Sequence, residues 1–140
     1  MQIRHIVLTA LLVLAPAMLA AQEQEELSPE QQEKKFREGI DAQVERYENA
    51  LDLEIWQTFY VDSILNHNYN AMKEEFKVLS DNKVANPELF IRIQDKWEET
   101  SYQAFRRVLN DEQWAKYCKM GASRAKKARD KREEKRNKTK

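Results

Sequence analysis

Two pairs of adjacent glutamates, Glu74 with Glu75 and Glu98 with Glu99, are the side chains that could act as an acid and a base. Adjacent residues of a helix do not face each other, so neither pair can bring two carboxylates to one substrate. His67 is the only histidine after residue 21, and no nucleophile motif accompanies it, so a Ser-His-Asp triad cannot be assembled. We therefore expect a protein that is not an enzyme and that needs no cofactor.

A metal site needs several histidine, cysteine or carboxylate side chains at ligand spacing. His67 has no second histidine or cysteine at such spacing, so we expect no metal and interpret it as a helix-surface residue or part of a polar step in the packing. Cys118 is the only cysteine, which excludes a disulfide within the chain. Two possibilities stay open for Cys118: burial on a helix face, which we favour, and a disulfide between two chains in an oxidising compartment.

The first 21 residues have the layout of a secretory signal peptide. Arg4 precedes an apolar run from Ile6 to Leu14, and small residues follow up to Ala21. The polar run from Gln22 cuts the apolar stretch too short for a membrane span and carries no basic flank. We expect cleavage before Gln22 and a disordered segment over residues 22–27, with no stable membrane insertion afterwards.

Charge is distributed unevenly along the chain. Residues 124–140 contain ten Lys/Arg and three Asp/Glu, whereas residues 22–121 contain 13 Lys/Arg and 21 Asp/Glu. We expect residues 126–140 to form a basic tail, helical at first and fraying into a free end. The tail either balances an acidic body or binds anionic surfaces or polyanions. It has no aromatic residues for base stacking, so we expect no specific nucleic-acid binding.

The stretch from Leu109 to Trp114 has the features of a helix start. Asn110 is a favourable N-cap, and Gln113 stands three residues later, where its side chain can reach the cap amide. Leu109 before the cap and Trp114 after it are spaced to close a hydrophobic staple. These residues predict that the last helix begins at Asn110.

Two further stretches repeat this pattern, with Leu27, Ser28 and Gln31 in one and Leu53 and Gln57 in the other. Ser28 is a good cap in the first of them. In the second, the cap position holds Glu54, a poor capping residue, so Asp52 is the alternative candidate for that role. The pattern predicts two more helix starts.

Apolar residues at helical spacing predict four helices and no strand. The first follows Ser28, the long second helix ends near Leu79, the third runs from Pro87 to Leu109, and the fourth starts at Asn110. Because their apolar stripes are narrow, a four-helix core over residues 28–125 would be thin. Dimerisation would add burial to such a core.

Aromatic residues are the candidates for an exposed binding patch. The set is Trp56, Tyr60, Trp97, Phe105 and Trp114. Aromatics at helical spacing are more often part of the core. We expect Trp97 and Trp114 to be mostly buried, and an apolar patch that stays exposed would favour a binding function.

The second and third helix-start copies resemble the twice-repeated LTxxQ signature of the Spy/CpxP family of periplasmic proteins. Leu53 and Gln57 match one copy, and Leu109 and Gln113 match the other. The threonine of the signature is Glu54 in one copy and Asn110 in the other. The stretch from Leu27 to Gln31 is a possible third copy. The resemblance covers roughly residues 48–125.

The resemblance implies an all-α protein of cradle-like shape, as an antiparallel homodimer in the periplasm. It also implies binding of unfolded or misfolded proteins without ATP, or a role in envelope-stress signalling. The motif residues themselves would fix helix ends rather than contact clients. A non-enzymatic helical scaffold whose basic tail binds polyanions is the alternative.

Overall fold

The computed structural model describes residues 27–139. The predicted signal peptide at residues 1–21, its cleavage site and nearly all of the segment 22–27 lie outside the described residues. Within residues 27–139 the chain forms helices joined by short connections and no strand. None of these helices combines the length and the apolar character needed to cross a membrane.

The all-α class and the four predicted helices are confirmed, with the fourth helix divided into two. A kink within Cys118–Ala122 separates the two parts. The helices are α1 Pro29–Leu51, α2 Ile55–Asp81, α3 Pro87–Val108, α4 Asp111–Tyr117 and α5 Ser123–Lys138.

Helix α2 is the central element, because both α1 and α3 pack against it. The short connection at Asp52 makes α1 and α2 antiparallel, and near their far ends Lys73 reaches Glu33, with 2.8 Å between Nζ and Oε2. Helix α4 contacts α1, and α5 lies along α3.

The core of the described residues contains eight buried hydrophobic side chains. They are Ile40, Val44, Leu51, Val61, Leu65, Phe105, Leu109 and Tyr117. Tyr47 joins this core by ring contacts to Phe105 and Tyr117, with centroids 5.4 and 5.6 Å away. Because this apolar core is small, polar contacts contribute much of the interaction that holds the helices together.

Gly121 divides the predicted fourth helix, because its φ of 118° and ψ of −7° lie outside the helical region. Residues other than glycine rarely adopt such a positive φ. After this kink, α5 runs antiparallel to α3, since successive arginines along α5 reach successively earlier carboxylates of α3. The tail boundary expected at residue 126 has no counterpart, because α5 is helical from Ser123 to Lys138 and lies against α3 instead of fraying free.

Candidate functional site

The side chains of Gln57 and Gln113 form a reciprocal pair of hydrogen bonds in the interior of the protein. Gln57 Nε2 donates to Gln113 Oε1 at 2.7 Å, and Gln113 Nε2 donates to Gln57 Oε1 at 2.9 Å. Each Oε1 also accepts the backbone N–H at the start of its own helix, that of Glu54 or Asn110, at 3.0 Å. The structure thus brings together the two glutamines of the LTxxQ-like copies.

The second amide hydrogen of each glutamine crosses to a backbone carbonyl just before the other helix. Gln57 Nε2 donates to the carbonyl of Val108 at 2.9 Å, and Gln113 Nε2 donates to the carbonyl of Asp52 at 3.3 Å. Each carbonyl belongs to the residue five positions before the partner glutamine, so the two copies are related by a local twofold arrangement. Both side-chain amides have all their donors and acceptors satisfied, as burial requires.

The remaining motif residues fix the two helix starts. Leu109 is buried, Leu53 is half-buried against the core, and Asn110 Oδ1 accepts from the Gln113 N–H at 2.9 Å. The alternative role considered for Asp52 is wrong. Asp52 ends α1 in a left-handed conformation with φ 52°, and Glu54 holds the N-cap position of α2.

The possible third copy is a local helix start. Ser28 and Gln31 form a capping box at the beginning of α1, with the Ser28 N–H donating to Gln31 Oε1 at 2.9 Å and the Gln31 N–H donating to Ser28 Oγ at 3.3 Å. The Leu27 carbonyl accepts from Gln32 Nε2 at 2.7 Å. In the described part of the chain this copy meets neither of the other two, so it lies apart from the glutamine pair.

Four large apolar side chains at the start of α2 stand exposed, and we name them the α2 patch. Their exposed fractions are Ile55 91%, Trp56 50%, Phe59 67% and Tyr60 53%. At about 200 Å² per large side chain, these fractions amount to roughly 500 Å² of surface. A patch of that size is comparable with the largest on a typical monomer and is often functional.

The other aromatic candidates lie elsewhere. Phe105 is in the core, and Trp97 and Trp114 are mostly buried, as expected. Within the α2 patch, the rings of Trp56 and Phe59 each meet Tyr60 edge-on, with centroids 6.2 and 5.9 Å away. The aromatic candidates thus divide between the patch and the packed interior.

The side chains that were candidates for acid–base chemistry, metal binding or a disulfide either make structural contacts or stand alone. Glu75 Oε1 accepts from Trp97 Nε1 at 2.9 Å, and the carboxylates of Glu98 and Glu99 pair with an arginine of α5. His67 is exposed, with its ring 6.1 Å from that of Trp97. Cys118 is a free, partly buried thiol. Residues 27–139 contain no group of three side chains suited to a metal ion.

A pocket of about 370 Å³ is lined by residues of all five helices and of the kink at Gly121, and several of them are tyrosines. Burial raises the pKa of Tyr47, Tyr69 and Tyr117, since a phenolate would lose its hydration there. These phenols are therefore neutral at physiological pH and do not act as bases.

A cluster of ion pairs joins α5 to α3. Asp95 is buried, and its Oδ2 accepts from Arg132 Nε at 2.9 Å and from Arg136 Nη2 at 2.8 Å. Burial alone would raise the pKa of Asp95, but the hydrogen bonds and charges of the two arginines outweigh it and hold the pKa below its ordinary value. Asp95 is therefore ionised at neutral pH.

Arg129 is the most buried cation of this cluster. Its guanidinium lies 3.4 Å from Glu98 and 3.2 Å from Glu99, and its centre is 5.6 Å from the ring of Tyr102. The only apolar residues of α5 are two alanines, so charge pairs supply most of its contact with α3. This differs from a free basic tail, because these arginines are neutralised inside the fold.

Sequence reasoning missed this cluster, although the sequence contains a signal for it. The α5 residues Lys126, Arg129, Arg132 and Arg136 recur every three or four positions, which places them on one helix face. The acidic residues Glu88, Asp95, Glu98 and Glu99 of α3 also lie near one face, since Asp95 is seven residues after Glu88 and three or four before the other two. Matching two such faces would have predicted an electrostatic contact between the helices.

No protein-family model, curated protein or solved structure matches this chain. The α2 patch is the surface best suited to contact another molecule, and the glutamine pair fixes the helix that bears it.

Proposed function

We propose that this protein binds unfolded or misfolded polypeptides without ATP, as a periplasmic chaperone or an envelope-stress adaptor. The observation that carries the proposal is the α2 patch, which exposes four large apolar side chains on a protein with 34% charged residues. Unfolded chains expose the same kind of apolar side chain, so they are the partners such a patch fits. The LTxxQ-like copies, similar to those of the Spy/CpxP family, support the same assignment.

The size of the patch favours weak, reversible binding. Covering one aromatic or aliphatic side chain contributes about 1.5–3 kcal/mol. Association costs at least about 4 kcal/mol in lost translational and rotational freedom. A client must therefore engage several patch residues together, and partial contacts dissociate readily. Exchange of this kind suits clients that have no common sequence.

The glutamine pair makes the patch a fixed surface. Gln57 belongs to the same helical turns as Trp56 and Phe59 but points to the opposite side, where it is locked to Gln113. The start of α2 therefore cannot rotate to bury its apolar side chains without breaking the pair. Fixing the patch before binding reduces the entropy lost when a client docks.

An antiparallel homodimer of cradle-like shape is part of the proposal, because the apolar core of a single chain is small. Sedimentation of the chain from Gln22 to Lys140, which contains every described residue, measures its size. We expect a dimer that persists when a thiol reductant is added and in Cys118→Ser. If the dimer is lost both with the reductant and in Cys118→Ser, a disulfide through Cys118 holds it together. A monomer under all conditions would contradict the homodimer.

Aggregation of a denatured client tests the function directly. We expect this chain, at a stoichiometric amount and without ATP, to suppress the aggregation of reduced α-lactalbumin. Trp56→Ser combined with Phe59→Ser should lose that protection. Val78→Ser combined with Ile91→Ser removes two exposed apolar side chains outside the patch and should retain it.

The two variants separate the possible failures. Absence of suppression by the unmodified chain would overturn the proposed function. Equal suppression by the patch variant would place client binding on another surface. Sedimentation of both variants shows whether lost protection accompanies a change in size, since the patch could also contact a second copy of the chain.

A further inference from the structure

Helix α5 has two cationic faces with different surroundings. The face turned to α3 contains Lys126, Arg129, Arg132 and Arg136, all in ion pairs with acidic residues of α3. The opposite face contains the ion pair of Glu134 with Lys138 and four further exposed cations, which we name the α5 stripe: Arg124, Lys127, Lys131 and Lys135. Within residues 27–139, no stripe side chain lies in an ion pair.

The spacing of the α5 stripe places its charges in a row. Successive members are three, four and four residues apart, so they share one face of the helix. At about 1.5 Å per residue, the row is roughly 17 Å long. The acidic residues of α5 do not neutralise it, because Asp130 pairs with Lys126, Glu133 with Arg136, and Glu134 with Lys138.

Such a row is unfavourable for the isolated helix. Like charges three or four residues apart repel each other, and repulsion destabilises the helix that carries them. The ion pairs with α3 hold α5 in place and keep the row aligned despite that repulsion. An anionic partner along the exposed face would relieve the repulsion, so the fold presents a preformed, linear cationic surface.

We propose that the α5 stripe docks the protein on an anionic membrane surface. A linear row of ammonium and guanidinium groups complements lipid phosphates arrayed in a plane. Residues 123–138 contain no aromatic side chain to stack on bases, which disfavours single-stranded nucleic acid. They contain no large apolar side chain either, so the helix adsorbs to the headgroups and does not insert.

This docking is separate from client binding at the α2 patch. The inward arginines remain in their ion pairs when the outward lysines meet phosphate, so α5 does not have to detach from α3. A predicted signal peptide at residues 1–21 would bring the protein to a compartment bounded by membranes. Export thus supplies the anionic surface that the stripe fits.

Vesicle sedimentation tests the proposal with the chain from Gln22 to Lys140. We expect binding to vesicles of phosphatidylglycerol and phosphatidylcholine in equal parts, none to pure phosphatidylcholine, and a steep loss when NaCl is raised from about 50 to about 300 mM. Lys127→Gln, Lys131→Gln and Lys135→Gln together should weaken binding about a hundredfold. The control changes Lys34, Lys35 and Lys77 to Gln, which removes the same charge from α1 and α2.

The outcomes decide between the stripe and other causes of binding. A stripe variant that binds as tightly as the unmodified chain, or a control that loses as much affinity, would overturn the proposal. Equal binding to pure phosphatidylcholine would overturn it as well. Binding to a DNA duplex without binding to the anionic vesicles would assign the stripe to nucleic acid instead. Circular dichroism of each variant verifies that its helix content is unchanged.

Discussion

The carboxamides of Gln57 and Gln113 hydrogen-bond to each other in both directions, at 2.7 and 2.9 Å, across 56 residues of sequence. Each glutamine also caps its own helix and donates to a backbone carbonyl just before the other helix. A local helix-start signal thereby becomes a tertiary contact that ties the start of α2 to the start of α4.

We predict that Gln57→Ala and Gln113→Ala each destabilise the protein by about 2–4 kcal/mol, because the surviving glutamine and a buried carbonyl lose partners. The double variant should lose less unfolding free energy than the two single variants added together. The difference, a coupling of about 1–2 kcal/mol, arises because the second truncation removes groups that the first left unpaired. Urea unfolding followed by circular dichroism measures all three values.

Gln31→Ala is the matched control for these single and double variants. Gln31 occupies the same motif position in the third copy, but it is exposed and caps only its own helix. Its loss should cost no more than about 1 kcal/mol. Additive effects of the Gln57 and Gln113 changes, or a Gln31 effect as large as theirs, would contradict the tertiary role of the pair.

The helix starts were predictable from sequence because capping is local. Ser28, Asn110 and the glutamine three residues after each cap lie within one turn, so spacing alone determines which groups meet. The contact between Gln57 and Gln113 was not predictable in that way, since it depends on how α2 and α4 approach each other. Asp52 shows a limit of the local argument, because ending α1 took precedence over capping α2.

The packing of α5 and the kink before it depend on tertiary structure. Apolar periodicity indicates where a helix is buried, but α5 has almost no apolar residues and is held by charge. Gly121 gave no sign of a kink on its own, since an isolated glycine is tolerated within a helix. The exposure of Trp56 and Phe59 also contradicts the usual tendency of aromatics to be buried.

Asp95→Asn should destabilise the protein by about 1–3 kcal/mol at neutral pH, because Arg132 and Arg136 lose a charged acceptor. The pKa of Asp95 is lowered in the folded state, so its stabilisation is present above the unfolded value of about 3.9 and is lost as pH falls through the folded pKa. The stabilities of the two proteins, measured by unfolding from neutral pH downwards, should draw closer together as pH falls below about 4.

Glu134→Gln is the control for that pH dependence. Glu134 pairs only with Lys138 on the exposed side of α5, and such surface pairs contribute little. Its change should leave stability within about 0.5 kcal/mol at every pH. A difference between the unmodified protein and Asp95→Asn that stays constant with pH would show that Asp95 is not the group being titrated.

Arg129→Ala should release α5 from α3 while the other helices remain folded. Its side chain is 7% exposed and bridges Glu98 and Glu99, and α5 has too few apolar residues to stay helical alone. Hydrogen exchange should become faster by about tenfold or more at α5 amides and change little in α1 and α2. Lys131→Ala on the outer face should leave the exchange unchanged, and equal effects of the two changes would refute the anchoring role of Arg129.

The two glycines of the chain should respond oppositely to alanine. A Cβ added at Gly121 or Gly39 meets no atom within 4 Å, so the two changes differ only in backbone conformation. Gly121 has φ 118°, where alanine is strained, and Gly121→Ala should destabilise the protein by about 1–2 kcal/mol. Gly39 lies within α1, and Gly39→Ala should stabilise it by about 0.5–1 kcal/mol. Thermal unfolding measures both changes.

If Gly121→Ala raised stability, α4 and α5 would instead join as one continuous helix, and the ion pairs between Asp95 and the arginines of α5 would have to break.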